Sequence, residues 1–286
     1  MLPVQVKSAI EEELNGAIAR VQYIGGGSIN RTVKIEVDAV PYFVKWNDAA
    51  AFPDMFSLEV KGLNLLRGYS EFVVPDPVAG GETDEHAFLI MQFLERGKPH
   101  WSDAGKVLAR MHSYAGRKDE RFGLSEDNYI GSLKQSNRFH NTWAEFFSTE
   151  RILPQMKLAL DQQRLSRSDL AAAENFCKRI GEIFPDEKPS LLHGDLWSGN
   201  FMFTPNGPAV FDPAVYRGHR EMDIAMTRLF GGFDEIFYNA YNEEYPLEKN
   251  WKSRIDYCTL YPLLVHVNLF GGGYISDVQR ILNHFT

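Results

Sequence analysis

The chain has 286 residues, 44% of them hydrophobic and 24% charged, with a net charge of -8 and a pI near 5.5. That length supplies a sizeable core in one domain or two lobes. The acidic balance and the absence of a basic stripe argue against a nucleic-acid partner, though a few local cations can still hold an anionic substrate.

The N-terminal stretch MLPVQVKSAIEEEL is acidic and lacks the apolar core of a signal peptide. No window reaches about 18 apolar residues, so no membrane span is expected. Two cysteines, Cys177 and Cys258, match no metal or redox spacing and are read as reduced structural thiols of a cytoplasmic protein. No His/Cys cluster suggests zinc.

In chain order, residues 3–19 predict a helix, with Val6, Ile10, Leu14 and Ile18 at helical spacing. Residues 20–24 read as a strand leading into Gly25-Gly26-Gly27-Ser28. Val33, Ile35 and Val37 alternate with Lys34 and Glu36 as in a half-buried strand. Another strand, 41–46, carries Lys45. Residues 53–69 predict a helix with Glu59, and 72–77 and 87–93 two more strands. The character changes at LERGKP, residues 94–99. Beyond it Ser102 caps a helix running to His112, and helices follow over 141–182, 221–230 and much of 233–285. Short strands are expected at 190–192 and 209–211. The reading is an α+β, two-lobe architecture: residues 1–95 a small β-rich lobe with one inserted helix, residues 96–286 a mainly helical lobe.

The chemistry concentrates in LLHGDLWSGNFMF and AVFDPAVYRGHREMD. Asp195 and Asn200 are five apart, and Asp212 follows twelve later at the end of an apolar run. Phosphoryl transfer needs a carboxylate to orient and deprotonate the attacking hydroxyl. It also needs an amide oxygen and a second carboxylate to hold Mg2+ against the phosphates of ATP. Asp195, Asn200 and Asp212 supply these in the order of a kinase catalytic loop and metal strand.

Upstream, the glycine run lies between two strands and matches neither a P-loop nor a G-x-G-x-x-G fingerprint, yet a glycine-rich hairpin can approach phosphates closely. Lys45 in YFVKW and Glu59 on the next helix make the pair that positions the α- and β-phosphates. The adenine edge is expected at the backbone of Gln92, Phe93 and Leu94, in the segment joining the lobes. His193 reads as a loop scaffold, and Asp223 as a helix-start or loop-bracing residue. Trp197, inside the catalytic loop, and His266 and Asn268, in HVNLFGGG, are candidate substrate contacts.

HGDLWSGN, DPAVYRGHREMDIAM and LYPLLVHVNLFGGGY resemble the fructosamine kinase (ketosamine kinase) family. That family sits with the aminoglycoside phosphotransferases and choline kinases in the protein-kinase-like fold. The resemblance runs from GGGSIN to the C-terminus. It implies ATP- and Mg2+-dependent phosphorylation of a sugar hydroxyl on a glycated amine, free or protein-bound, which destabilises the adduct. It also implies Asp195 as base, Asn200 and Asp212 as metal ligands, and Lys45 with Glu59 as the phosphate-positioning pair. The rapid return to helix after Asp212 leaves no room for a long activation segment, which favours a small-molecule site. Some members carry a redox-active cysteine in the glycine loop; Ser28 stands here, so no such switch is expected. Two alternatives stay open: another small-molecule kinase, acting on an aminoglycoside, choline or homoserine, and a non-catalytic nucleotide-binding module. Oligomeric state is not read from the sequence.

Overall fold

The computed structural model describes residues 1–25, 29–114 and 121–286. Gly26, Gly27 and Ser28, and with them the expectations for phosphate contact and redox inertness, lie outside the described residues.

Helix α1, Val4–Glu13, buries Val6 and Ile10 against the outer face of a five-stranded antiparallel sheet. Its strands are β1 (Ile18–Tyr23), β2 (Arg31–Val37), β3 (Val40–Asp48), β4 (Pro77–Glu82) and β5 (His86–Gln92), in spatial order β1-β2-β3-β5-β4. The helix expected over 3–19 stops early. Asn15 takes a positive φ of 54°, and Gly16 follows so close to Val37 that a Cβ there would lie 2.7 Å from it. The chain therefore turns, and Ile18 starts a strand.

In β2 and β3 the period of two is visible in burial: Val33, Ile35, Val44 and Trp46 face α1. Lys45, between two of them, faces the opposite side, toward helix α2 (Met55–Tyr69). The strand expected over 72–77 takes another role. Val73 donates to the Pro208 carbonyl (2.9 Å) and accepts from the Val210 N–H (3.1 Å), a parallel bridge to the segment that leads into Asp212. Pro75 and Pro77 lack N–H donors, and the pairing with β5 starts only at Pro77.

The remainder is mostly helical. Helix α3 (Trp101–Tyr114) begins one residue before the expected cap, so Ser102 lies inside it. A hairpin of β6 (Asn128–Ile130) and β7 (Leu133–Gln135), which the sequence pattern did not show, precedes α4 (Trp143–Phe146). A π-helical turn, Phe147–Ile152, leads into α5 (Leu153–Asp161). The helix expected over 141–182 thus breaks, and α6 (Arg167–Ile183) restarts on a Ser166–Asp169 capping box.

Two short antiparallel pairs follow. In one, β8 (Ser190–Leu192) pairs with β11 (Tyr216–Gly218); in the other, β9 (Phe201–Thr204) pairs with β10 (Gly207–Val210). Helices α7 (Glu221–Leu229), α8 (Glu235–Glu244), α9 (Trp251–Phe270) and α10 (Tyr274–Leu282) complete the fold. One apolar core is shared between the sheet side and the helical side: Leu63, Leu66 and Met91 pack in the same cluster as Leu108, Leu191 and Phe237.

Candidate active site

A cleft of about 400 Å³ opens between the sheet and the helices. Its walls bring together Lys45, Glu59, Asp195, Asn200 and Asp212, residues spread over 168 positions of sequence.

Lys45 is 1% exposed, and its Nζ donates to Glu59 Oε1 (2.6 Å) and to Asp212 Oδ1. Burial alone would discharge the ammonium, but the two carboxylates outweigh it and hold the pKa above its ordinary value. The lysine is therefore a fixed cation on the cleft floor. Asp212 keeps 44% of its side chain exposed toward the cleft.

Asp195 and Asn200 leave the turn between β8 and β9. Gly194 holds that turn at φ +83°, where an added Cβ would lie 2.0 Å from the Ala214 carbonyl oxygen. Only glycine tolerates both the angle and the contact. Asn200 Nδ2 donates to the Asp195 carboxylate (2.8 Å) and carbonyl (3.0 Å), which leaves the Asn200 oxygen as the atom available to a cation. Burial, then the nearby Asp212 charge, push the Asp195 carboxyl up to about 7, against the pull of the Asn200 amide. A carboxyl so tuned exchanges protons near neutrality, as a general base should.

Beneath the loop Asp223, 1% exposed, accepts the His193 N–H (2.8 Å) on one oxygen and the Gly194 N–H (2.9 Å) on the other. His112 Nε2 lies 3.2 Å from the same carboxylate. The loop-bracing role thus falls to Asp223. His193 is buried and held neutral by its desolvation, with Nε2 3.1 Å from the Phe211 carbonyl. It is a scaffold residue.

Trp197 and His266 line the far end of the cleft with Phe230 and Tyr274. His266 Nδ1 lies 2.8 Å from the Pro262 carbonyl, which can only accept. That fixes the proton on Nδ1 and leaves Nε2 as an acceptor. Burial keeps the ring neutral. Asn268 does not join them. Buried at 4%, it donates to the carbonyl and side-chain oxygens of Gln155 (2.9 and 2.7 Å), so it ties α9 to α5 and is withdrawn from the substrate set.

At the joining segment the Gln92 N–H is already given to the Asp76 carbonyl (2.8 Å). The Phe93 ring carries Lys34 Nζ over its face at 3.9 Å. Of the backbone groups expected to meet adenine at Gln92, Phe93 and Leu94, the Gln92 N–H is therefore the one already engaged. Gly25 has open space around its Cα. Sequence reasoning missed the rim residues Asn30, Asn128 and Tyr129, which sit in polar stretches without a motif.

The family described as fructosamine kinase matches residues 3–286. A probable ketoamine kinase of Enterococcus faecium is 40% identical over 276 residues, covering 96% of both chains. A chloroplastic protein-ribulosamine 3-kinase of Arabidopsis thaliana is 36% identical over 274 residues, covering 94% of this chain and 83% of that protein. The crystal structure of a putative fructosamine-3-kinase from Haemophilus somnus superposes with a TM-score of 0.87 at 28% identity, over 98% of this chain and 96% of that one. An aminoglycoside phosphotransferase superposes with a TM-score of 0.63 at 14% identity, over 98% and 99% of the two chains, and so shares the fold. The α+β, protein-kinase-like, two-lobed fold is thereby established, and the chain belongs to the fructosamine kinase family.

Proposed function

We propose that this enzyme transfers the γ-phosphoryl group of ATP to a sugar hydroxyl of a ketosamine, the 3-hydroxyl by the naming of its relatives, as a step in deglycation. The observation that carries the reading is the convergence of Lys45, Glu59, Asp195, Asn200 and Asp212 on one cleft, with Asp195 tuned to about 7.

In this reading residues 1–95 form the nucleotide lobe and 96–286 the catalytic and substrate lobe. The break is supported by the end of β5 at Gln92 and the start of α3 at Trp101. Lys45, kept charged and aimed by Glu59, neutralises the α- and β-phosphates. The Phe93–Leu94 backbone and the Gly25–Ser28 loop hold the adenine and phosphate ends. Asp195 accepts the proton of the sugar hydroxyl as its oxygen bonds to phosphorus and the bond to ADP breaks. Trp197 and His266 hold the sugar, Trp197 by ring stacking and His266 Nε2 by accepting a hydroxyl.

Asn200 and Asp212 fit Mg2+, since they offer only oxygen donors. Among the described residues no group of three His, Cys, Asp or Glu could hold a metal alone, so phosphate and water must complete the shell. When bound, Mg2+ supplies charge neutralisation on the phosphates. No described helix is long and apolar enough to cross a membrane. Cytoplasmic residence is part of this reading, supported by the reaction's need for an ATP pool.

The test is ADP release with magnesium-ATP on ribulosyl-, erythrulosyl- and fructosyl-lysine, with choline and an aminoglycoside alongside. Turnover of a ketosamine that disappears in Asp195→Asn supports the reading. Turnover of choline or the aminoglycoside alone overturns the substrate.

A further inference from the structure

Behind Asp212 lies a buried polar network with no counterpart in the motif. Asn128 is 8% exposed, Gln135 2%, Asn137 0% and Tyr261 3%. Asn128 Nδ2 donates to the Val215 carbonyl (2.8 Å). Gln135 Nε2 donates to the Ala214 carbonyl (3.1 Å) and to Asn128 Oδ1 (2.8 Å). Asn137 Nδ2 also donates to Asn128 Oδ1 (3.0 Å), and Arg151 Nη2 donates to Asn137 Oδ1 (2.7 Å). The Tyr261 hydroxyl donates to Gln135 Oε1 (2.7 Å).

Backbone carbonyls only accept, so each amide has one allowed orientation and the network has one arrangement. Its two ends matter. Ala214 and Val215 follow Asp212 by two and three residues, across Pro213. The Ala214 N–H is meanwhile given to the His193 carbonyl (2.9 Å). Asp212 itself sits at a positive φ of 57°, which a non-glycine residue keeps only when its flanks are held. At the other end Tyr261 lies on α9, whose next turns supply Val265, His266 and Leu269 to the sugar end of the cleft. Gln135 thus hydrogen-bonds the loop through the Ala214 carbonyl and α9 through the Tyr261 hydroxyl.

We propose that Gln135 is a positioning residue that registers the Asp212 loop against helix α9, so that the metal carboxylate and the sugar pocket keep one relative placement. This rests on Asp212 being a metal ligand. Gln135 touches neither cleft ligand, and it acts through Ala214 on one side and Tyr261 on the other. An apolar side chain of similar size would fill the volume but leave the loop carbonyl and the phenol without their partner, and Asp212 would be free to relax from its strained angle.

The experiment compares Gln135→Met, Tyr261→Phe, their combination and Asp212→Ala. Calorimetric titration of ADP at a series of Mg2+ concentrations is run beside kcat, KM for ATP and thermal melting. The expected result is a Mg2+ requirement raised about tenfold in Gln135→Met and about threefold in Tyr261→Phe, for losses of ordinary buried hydrogen bonds. kcat should fall in parallel, with KM for ATP at saturating Mg2+ unchanged. Adding Tyr261→Phe to Gln135→Met should change little further, because the two act through one contact. A lowered melting temperature with a wild-type Mg2+ titration means Gln135 only fills the core, and the proposal fails. Should Gln135→Met not fold, Tyr261→Phe, which deletes one oxygen, decides by the same titration. An Asp212→Ala protein with wild-type Mg2+ dependence would instead overturn the metal assignment itself.

Discussion

The carboxylate of Asp223 takes the backbone N–H of Gly194 at 2.9 Å from beneath, and so fixes the turn from which Asp195 projects. A buried acid used in this way sets the orientation of the loop and performs no chemistry itself. The Asp223→Asn variant must set its N–H2 group either against the Gly194 N–H or against the His193 N–H and His112 Nε2. It should lose about 1–3 kcal/mol of stability for the unmet pairs. kcat should fall as the loop loosens. Denaturant unfolding and steady-state kinetics on the same preparation check both.

Gly194→Ala meets the Ala214 carbonyl at 2.0 Å and a φ of +83°. The loop must move bodily to admit the methyl group. The expected outcome is a folded or marginal protein with turnover reduced at least about 100-fold, the scale set by a misplaced catalytic group. Nucleotide affinity measured by calorimetry should suffer far less, because Lys45 and Glu59 lie on other elements.

Asp195→Asn should remove about 10²–10⁴ of the rate while nucleotide binding survives. It should also change how stability depends on pH. The Asp195 carboxyl sits near 7, above its ordinary value near 4. Ionising it costs the folded protein more than the unfolded chain. Wild-type stability relative to the variant is therefore complete below about pH 4 and is lost as the pH climbs through 7. Melting curves without nucleotide or metal should show the variant gaining on wild type between pH 5 and pH 8.5. Parallel curves at both ends would contradict the raised pKa.

Lys45→Met leaves Glu59 and Asp212 facing each other with no cation between them. Removing one member of a buried pair costs about 3–5 kcal/mol, so the melting temperature should drop. KM for ATP should rise more than kcat falls, since the phosphates lose their positioning charge. Kinetics at saturating and limiting ATP separate the two effects.

The catalytic order was legible in the sequence because each of its parts is a short-range signal. Asp195 and Asn200 share one turn, Asp212 follows an apolar strand by two residues, and Lys45 alternates with buried neighbours in β3. The alternation in β2 gave its element for the same reason. What escaped was decided by tertiary contacts. Ile18 had a good helical position, but Asn15 and Gly16 turned the chain before it. Asn268 shares a helix with His266, and only the packing of α9 on α5 shows that one faces Gln155 and the other the cleft. The β6–β7 hairpin is short and polar, and its worth lies in what Asn128 and Gln135 reach across space.

The Val73 bridge to β10 has a consequence for control. It joins the chain just beyond the helix bearing Glu59 directly to the strand leading into Asp212. In a kinase whose glutamate helix swings, activity is switched by breaking the lysine–glutamate pair. Here the segment just after the helix shares backbone hydrogen bonds with the strand before Asp212, and the helix and that strand pack in one apolar core. Any movement of the glutamate helix would therefore have to carry the strand before Asp212 with it, so that the lysine–glutamate pair and the Asp212 carboxylate shift together and not singly.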